Sequence, residues 1–271
     1  MIDTPALDRL SQRLRDARQQ NRAALIGYLV AGDPDLRTTE LVIAAVAEAG
    51  LDVLELGIPY GDPLADGPTI AAAGQRALAA GSSVEATFGL VERLQQVLPI
   101  ILFTYFNPVF HYGVERFAER AARAGASGVI IPDITLEEID EVRGSLRCRG
   151  LPFPLLVSPT TGPARANQIA TASDGFVYVV SRLGVTGEGT GPDLIWLRGQ
   201  LDRMRHVTDK PLAVGFGIST PAQVAEVASW SDAVIVGSGL VNSYAGSAGP
   251  EAARLAGSYV GRLVAALTKS A

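Results

Sequence analysis

The chain has 271 residues, 48% of them hydrophobic and only 6% aromatic, with a formal net charge of −5. The acidic balance argues against nucleic acid, which calls for a basic stripe, and no apolar run reaches membrane-spanning length. The single cysteine, Cys148, excludes an internal disulfide.

The first stretch, MIDTPALDRLSQRLRDARQQNR, has no apolar signal region, which together with the composition implies a cytoplasmic protein. It places Leu7, Leu10, Leu14 and Ala17 on one helical face. AALIGYLV (23–30) reads as a strand that ends in the loop AGDPD, with a helix through Ala49. DVLEL (52–56) is followed by a long loop and two helical stretches up to about Gln96. IILFTYF (100–106) leads to NPVFHYG and a helix over Val114–Ala124. GVIIPD (128–133) precedes a helix to about Arg149, and FPLLVSP (153–159) one over Arg165–Ala172. GFVYVVS (175–181) runs into the glycine-rich RLGVTGEGTGPD. PLAVGFGIS (211–219) precedes a helix to Trp230, and DAVIV (232–236) runs into GSG before a last helix near Pro250.

Eight short apolar strands, each followed by helix, imply parallel pairing with crossover helices. At this length a closed (β/α)8 barrel fits best, with one domain over 1–271 and the leading N-terminal helix covering the barrel's bottom. The other architecture of this pattern, an open doubly wound sheet, is weakened because no GxGxxG follows the first strand. Barrel active sites lie at the C-terminal ends of the strands, so functional residues belong there or in the following loops.

The stretch LELGIPYGDPLADGPTI (54–70) carries a glutamate inside an apolar strand. Strand side chains alternate, so if Leu54 and Leu56 pack on helices, Glu55 points into the barrel. Burial there raises a carboxyl pKa toward neutrality and suits it to give and retake a proton. The other reading pairs Glu55 with an interior arginine or a polar neighbour. Asp66 sits in a DG pair and is equally a turn or cap residue or a functional carboxylate. Pro59, Pro63 and Pro68 stiffen the loop that holds it.

Strands seven and eight end in GFGIS (215–219) and GSGLV (237–241). Loops in these two places often bind phosphate in such barrels, and glycines admit an anion close to backbone N–H groups. SGLVNSY could begin a short helix with its positive end toward the anion, and Ser238 adds a hydroxyl. The sixth loop brings Thr186 and further glycines. Tight barrel-corner turns are the alternative.

The scarce residues exclude chemistry. Lys210 precedes strand seven at the bottom and Lys269 lies among the last few residues, which argues against a Schiff-base mechanism. His206 lies on the bottom side and His111 stands alone in a loop, so a histidine-held metal is not supported. Asp33 and Asp133 follow strands one and four without any companion ligands. What remains is carboxylate chemistry on a phosphate substrate, with tyrosines 28, 105 and 178 in strands one, three and six.

LELGIPYGDPLADGPTI closely resembles the signature of the tryptophan synthase alpha chain family. YLVAGDPD, TYFNPVFHYG, GVIIPD, SPTTGPAR, GFVYVVSRLGVTG, GFGIST and VIVGSGLV resemble its segments in order, over nearly the whole chain. The resemblance implies a (β/α)8 barrel that cleaves indole-3-glycerol phosphate into indole and glyceraldehyde 3-phosphate without a cofactor or metal of its own. By resemblance Glu55 is the general acid–base and Asp66 the partner of the indole nitrogen. Gly187, Gly217, Gly237 and Ser238 match phosphate-binding positions, with Phe216 beside them. Tyr178 matches an active-site tyrosine, Thr186 the sixth-loop threonine that contacts the aspartate, and Asp33 a loop residue near the partner interface. The implied partner is a pyridoxal-phosphate beta chain that consumes the indole.

Four positions depart from the family pattern. Gly61 stands for a usual serine, Gly27 and Thr135 for usual prolines, and Gly239 for a usual alanine. None removes a catalytic group, and the resemblance implies that Gly61 and Thr135 touch loops that face the partner. The same residues also suit a stand-alone lyase that releases indole. A non-catalytic activator of the beta chain is disfavoured by the intact Glu55 and Asp66.

Overall fold

The computed structural model describes residues 5–181 and 194–267. Helix α1 (Pro5–Gln19) leads into β1 (Ala24–Val30), α2 (Leu36–Glu48) and β2 (Val53–Gly57). Two helices, α3 (Pro68–Ala79) and α4 (Val84–Leu94), precede β3 (Ile100–Phe103), and another two, α5 (Phe106–Tyr112) and α6 (Val114–Ala124), follow it. The chain continues through β4 (Gly128–Ile130), α7 (Ile139–Arg147), β5 (Leu155–Val157), α8 (Pro163–Ala172) and β6 (Val177–Val180). It ends with α9 (Leu194–Arg205), β7 (Leu212–Gly215), α10 (Pro221–Ala228), β8 (Ala233–Val236), α11 (Ser238–Ser243) and α12 (Gly249–Val264).

The strands form one eight-stranded sheet in the order β4-β3-β2-β1-β8-β7-β6-β5. Every ladder is parallel. At the seam between β4 and β5 the Val129 N–H donates to the Pro152 carbonyl at 3.0 Å. Pro152 and Pro154 have no N–H to give, which keeps the pairing there short. The result is a nearly closed (β/α)8 barrel, as the strand–helix alternation predicts.

Alternation along the strands sorts side chains into two apolar layers. Leu25, Leu29, Leu54, Leu56 and Leu102 pack outward against the helices. Ile26, Tyr28, Val53, Ile101, Phe103 and Ile235 fill the barrel. Leu10, Leu14 and Ala17 of α1 join that inner layer, and Leu10 reaches Gly175, just before β6. The extra helix thus covers the N-terminal end of the barrel. Nearby, Asp52 is 2% exposed and takes a two-pronged ion pair from Arg22 at 2.6 and 2.8 Å plus the Leu25 N–H at 2.8 Å.

Two local expectations are corrected. Strand three was expected over 100–106, but it ends at Phe103 and α5 starts at Phe106. Asp133 Oδ1 accepts the Phe106 N–H at 2.9 Å and so caps that helix start, leaving Tyr105 as the extended residue before it. His111 is therefore an exposed residue of α5 rather than a loop residue.

Candidate active site

A cavity of about 440 Å³ opens at the C-terminal ends of the strands. Glu55, Asp66, Tyr178, Phe216, Gly217, Gly237 and Ser238 all line it. Thr186 and Gly187 lie outside the described residues.

Glu55 sits between Tyr28 of β1 and Ile101 of β3 in the ladder, on the inward side shared with Val53. It is 1% exposed. Its Oε1 has no hydrogen-bond partner among the described residues and burial is the one cause of its pKa shift, so the reading as one half of an interior pair does not hold. Burial without a compensating charge pushes its pKa up to about 8. The group is an acid at neutral pH, yet titrates close enough to it to release the proton.

Asp66 is not the cap of α3. Gly67 takes that place, with Pro68 opening the helix. Its carboxylate instead accepts the Tyr105 hydroxyl at 2.9 Å, and that hydroxyl in turn accepts the Ala65 N–H at 3.2 Å. Burial raises the Asp66 pKa, and the Tyr105 hydrogen bond works against the rise. Tyr105 was legible only as a strand tyrosine. Its position before α5 turns it toward the second loop.

Two further tyrosines depend on glycines. A Cβ at Gly57 would lie 2.2 Å from the Tyr28 hydroxyl oxygen, and one at Gly215 would lie 2.5 Å from that of Tyr178. Neither strand end has room for a side chain while these rings line the cavity. Burial raises both hydroxyl pKa values, with the nearby Glu55 charge adding to each.

The glycine corner lines the same cavity as the carboxyls. After β7 the chain turns through Phe216 at φ 72° and Gly217 at φ 80°. Phe216 holds a conformation that costs a side chain energy. Its carbonyl is fixed by the Ser181 hydroxyl, and its ring packs edge-on to Tyr178, 5.9 Å between centroids. The Ser219 and Thr220 N–H groups donate to Gln223 Oε1 at 3.0 and 3.1 Å, completing the capping box of α10. After β8, Gly237 precedes α11, and its carbonyl accepts the Leu240 and Val241 N–H groups at 2.9 and 3.1 Å. The Ser238 and Gly239 amides come first in that helix, where backbone donors have no partner within the helix. Ser219, Gln223 and Tyr259 also line this end. Nothing in the sequence marks Ser219 or Tyr259 as site residues, and only the capping pattern TPAQ (220–223) marks Gln223.

The two aspartates without companion ligands are otherwise engaged. Asp33 is 1% exposed and takes a two-pronged ion pair from Arg76 at 2.7 and 3.0 Å, and Asp133 caps α5. Among the described residues no group of three or more His, Cys, Asp or Glu is placed to hold a metal. Nor is any described helix long and apolar enough to cross a membrane.

Fold and cavity together define a (β/α)8 barrel with a buried carboxyl and a glycine-rich corner in one cavity. A family profile described as tryptophan synthase alpha chain matches residues 14–260. The tryptophan synthase alpha chain of a Picosynechococcus species is 47% identical over 240 residues, covering 87% of this chain and 90% of the relative. That of Methanosarcina acetivorans is 49% identical over 236 residues, covering 85% and 84%. Among solved structures, a Mycobacterium tuberculosis tryptophan synthase chain superposes with a TM-score of 0.89 at 36% identity, covering 97% of this chain and 99% of that one. The alpha subunit from Legionella pneumophila gives 0.84 at 33%, covering 95% and 97%. The chain belongs to the tryptophan synthase alpha chain family. It is thereby an enzyme of the lyase type in tryptophan biosynthesis.

Three of the four departures from the family pattern are simply accommodated. Gly61 is exposed, with nothing within 4 Å of where a Cβ would be. Thr135 donates its hydroxyl to Glu138 Oε2 at 2.8 Å. Gly27 faces outward, where a Cβ would meet Leu240 and Leu51 at 3.0 Å. The fourth, Gly239, has larger consequences.

Proposed function

We propose that this chain is a carbon–carbon lyase that cleaves indole-3-glycerol phosphate to indole and glyceraldehyde 3-phosphate. One observation carries the reading: the unpartnered, buried Glu55, with its pKa near 8, shares a cavity with a glycine corner suited to a phosphate. The substrate's phosphate would lie on the amides of Gly217, Gly237 and Ser238, and its indole between Glu55 and Asp66. Gly187 and Thr186 are assigned to the same site by resemblance.

Indole is a poor carbon leaving group until its C3 is protonated. Glu55 gives its proton to C3, and the ring nitrogen becomes cationic while the Asp66 carboxylate accepts its N–H. Glu55, now a carboxylate, takes the proton from the hydroxyl on the adjacent glycerol carbon. The carbon–carbon bond breaks, its electron pair restores the aromatic ring, and the hydroxyl carbon becomes the aldehyde. Glu55 ends protonated as it began. The protonated indole ring is the electron sink, so the step asks nothing of a lysine, which agrees with Lys210 being tied at the bottom to the Ala170 and Thr171 carbonyls.

The partner in this reading is the pyridoxal-phosphate beta chain of tryptophan synthase, which consumes the indole. Steady-state cleavage of indole-3-glycerol phosphate, with and without beta chain, tests both parts. Strong activation by beta supports the alpha-subunit role, and high activity alone supports a stand-alone lyase. No cleavage under either condition removes the catalytic reading and leaves an activator of beta.

A further inference from the structure

Tyr259 projects from α12 into the glycine corner, a helix from which no site residue was expected. It is half-buried and lines the cavity. Its hydroxyl donates to the Ser219 carbonyl at 2.6 Å. The N–H of the same residue, Ser219, donates to Gln223 Oε1 at 3.0 Å. Ser219 is thus held from both sides, two residues beyond Gly217. That clamp requires Gly239. A Cβ at position 239 would lie 2.2 Å from the Tyr259 hydroxyl oxygen and 2.9 Å from Ser219 Cβ. Both contacts arise from the Tyr259–Ser219 hydrogen bond, because the first is its donor and the second the residue it holds. Where the family pattern has alanine this chain has glycine, and the Tyr259 hydroxyl occupies the space a Cβ there would take.

We propose that Tyr259 is a positioning residue for phosphate binding, holding the loop after β7 so that its amides face the anion, and that Gly239 is its obligate counterpart. The inference rests on the glycine corner being the phosphate site. Contact with the loop is to a backbone carbonyl, so the effect passes through geometry rather than charge. Burial raises the Tyr259 pKa to about 12, so the hydroxyl remains a donor throughout the working pH range. Arg262 lies over the ring, 5.8 Å from its centroid, and secures it from the outer side.

The test uses the full chain with inorganic phosphate as the probe, alongside steady-state cleavage and the thermal midpoint without phosphate. Tyr259→Phe keeps the ring and loses only the hydroxyl. We expect its phosphate Kd and its substrate KM to rise about fivefold, with the change falling on KM rather than kcat. Gly239→Ala should weaken phosphate binding about tenfold or more, but less than about twofold in a Tyr259→Val background, where the clamp is already gone. A lowered thermal midpoint with unchanged phosphate affinity in Tyr259→Phe makes the tyrosine merely structural and overturns the proposal. So does an equal cost of Gly239→Ala in both backgrounds. If the parent chain binds no phosphate, or binds it undiminished after Ser238→Ala combined with Gly217→Val, the corner itself is misassigned and the proposal falls with it. Phosphate binding at the corner that is indifferent to residue 259 removes the proposal alone.

Discussion

Tyr105 and Asp66 meet across the mouth of the barrel, hydroxyl to carboxylate at 2.9 Å, though 39 residues separate them in the chain. The bond favours the charged form of Asp66 and opposes the rise that burial imposes. In the proposed mechanism Asp66 acts as an anion. Tyr105→Phe should therefore raise the Asp66 pKa and lower kcat/KM by roughly tenfold near neutrality. The acid limb of the pH profile of kcat/KM should move to higher pH. A limb that stays in place, or moves down, would detach Tyr105 from the role of Asp66.

Glu55 ties stability to pH. Its pKa is about 8 in the folded chain and near the ordinary 4.5 when unfolded. Between those values the folded state holds a proton that the unfolded state has lost, so raising the pH through this window destabilises the fold. The cost grows from about pH 4.5, levels off above about pH 8, and is on the order of 5 kcal/mol at most. Glu55→Gln removes it. This variant should be more stable than the parent at pH 8 to 9, with the difference fading toward acid, while lyase turnover drops by about a thousandfold or more. Denaturant midpoints across pH, set beside the turnover assay, decide it. A parallel pH dependence in both proteins would mean that Glu55 is charged in the fold.

The inward aim of Glu55 was legible because strand alternation is strict: with Leu54 and Leu56 packed outward, the residue between them has one direction to take. The glycine corner was legible because strand ends are set by the same apolar runs. Tyr105 was not. Its run IILFTYF continues apolar past the strand, and what stops it is Asp133, a residue from the next unit capping Phe106. Tyr259 was further out of reach. Helical periodicity shows which face of α12 is apolar but not which loop that face meets, and the only trace in the sequence was a glycine at 239. Sequence patterns record local periods, whereas these two contacts depend on where separate units come to lie.

Gly57 ends β2, two residues past Glu55, and the Tyr28 hydroxyl occupies the space where its Cβ would be, at 2.2 Å. A distance this short cannot be absorbed without moving the ring or the strand. Gly57→Ala should cost about 1–3 kcal/mol of stability, the usual range for overpacking. It should also lower kcat/KM, because the displaced Tyr28 borders the cavity. Tyr28→Phe in the Gly57→Ala background removes the colliding oxygen but leaves the ring carbon that bore it at 2.8 Å, so it should recover only part of the stability. Thermal unfolding of the two single variants and the double one would show this. Additive losses would mean that the strain lies elsewhere.

Gly61 gives the opposite expectation. It is exposed, on the loop that carries Asp66, and a Cβ there touches nothing. Gly61→Ser restores the residue usual in the family without any packing cost, so stability should change by no more than about 0.5 kcal/mol. A serine also has fewer backbone conformations to lose than a glycine, which narrows the range of the loop before any ligand binds. In the isolated chain, where Tyr105 already fixes Asp66, this leaves turnover within about twofold. The difference should appear when the proposed beta chain is added, because this loop is the one the family resemblance turns toward the partner. Half-maximal activation should then need less beta chain for Gly61→Ser than for the parent, since less freedom is lost on docking. Titrating lyase activity with beta chain measures that directly. Identical titration curves would place residue 61 outside the coupling between the subunits.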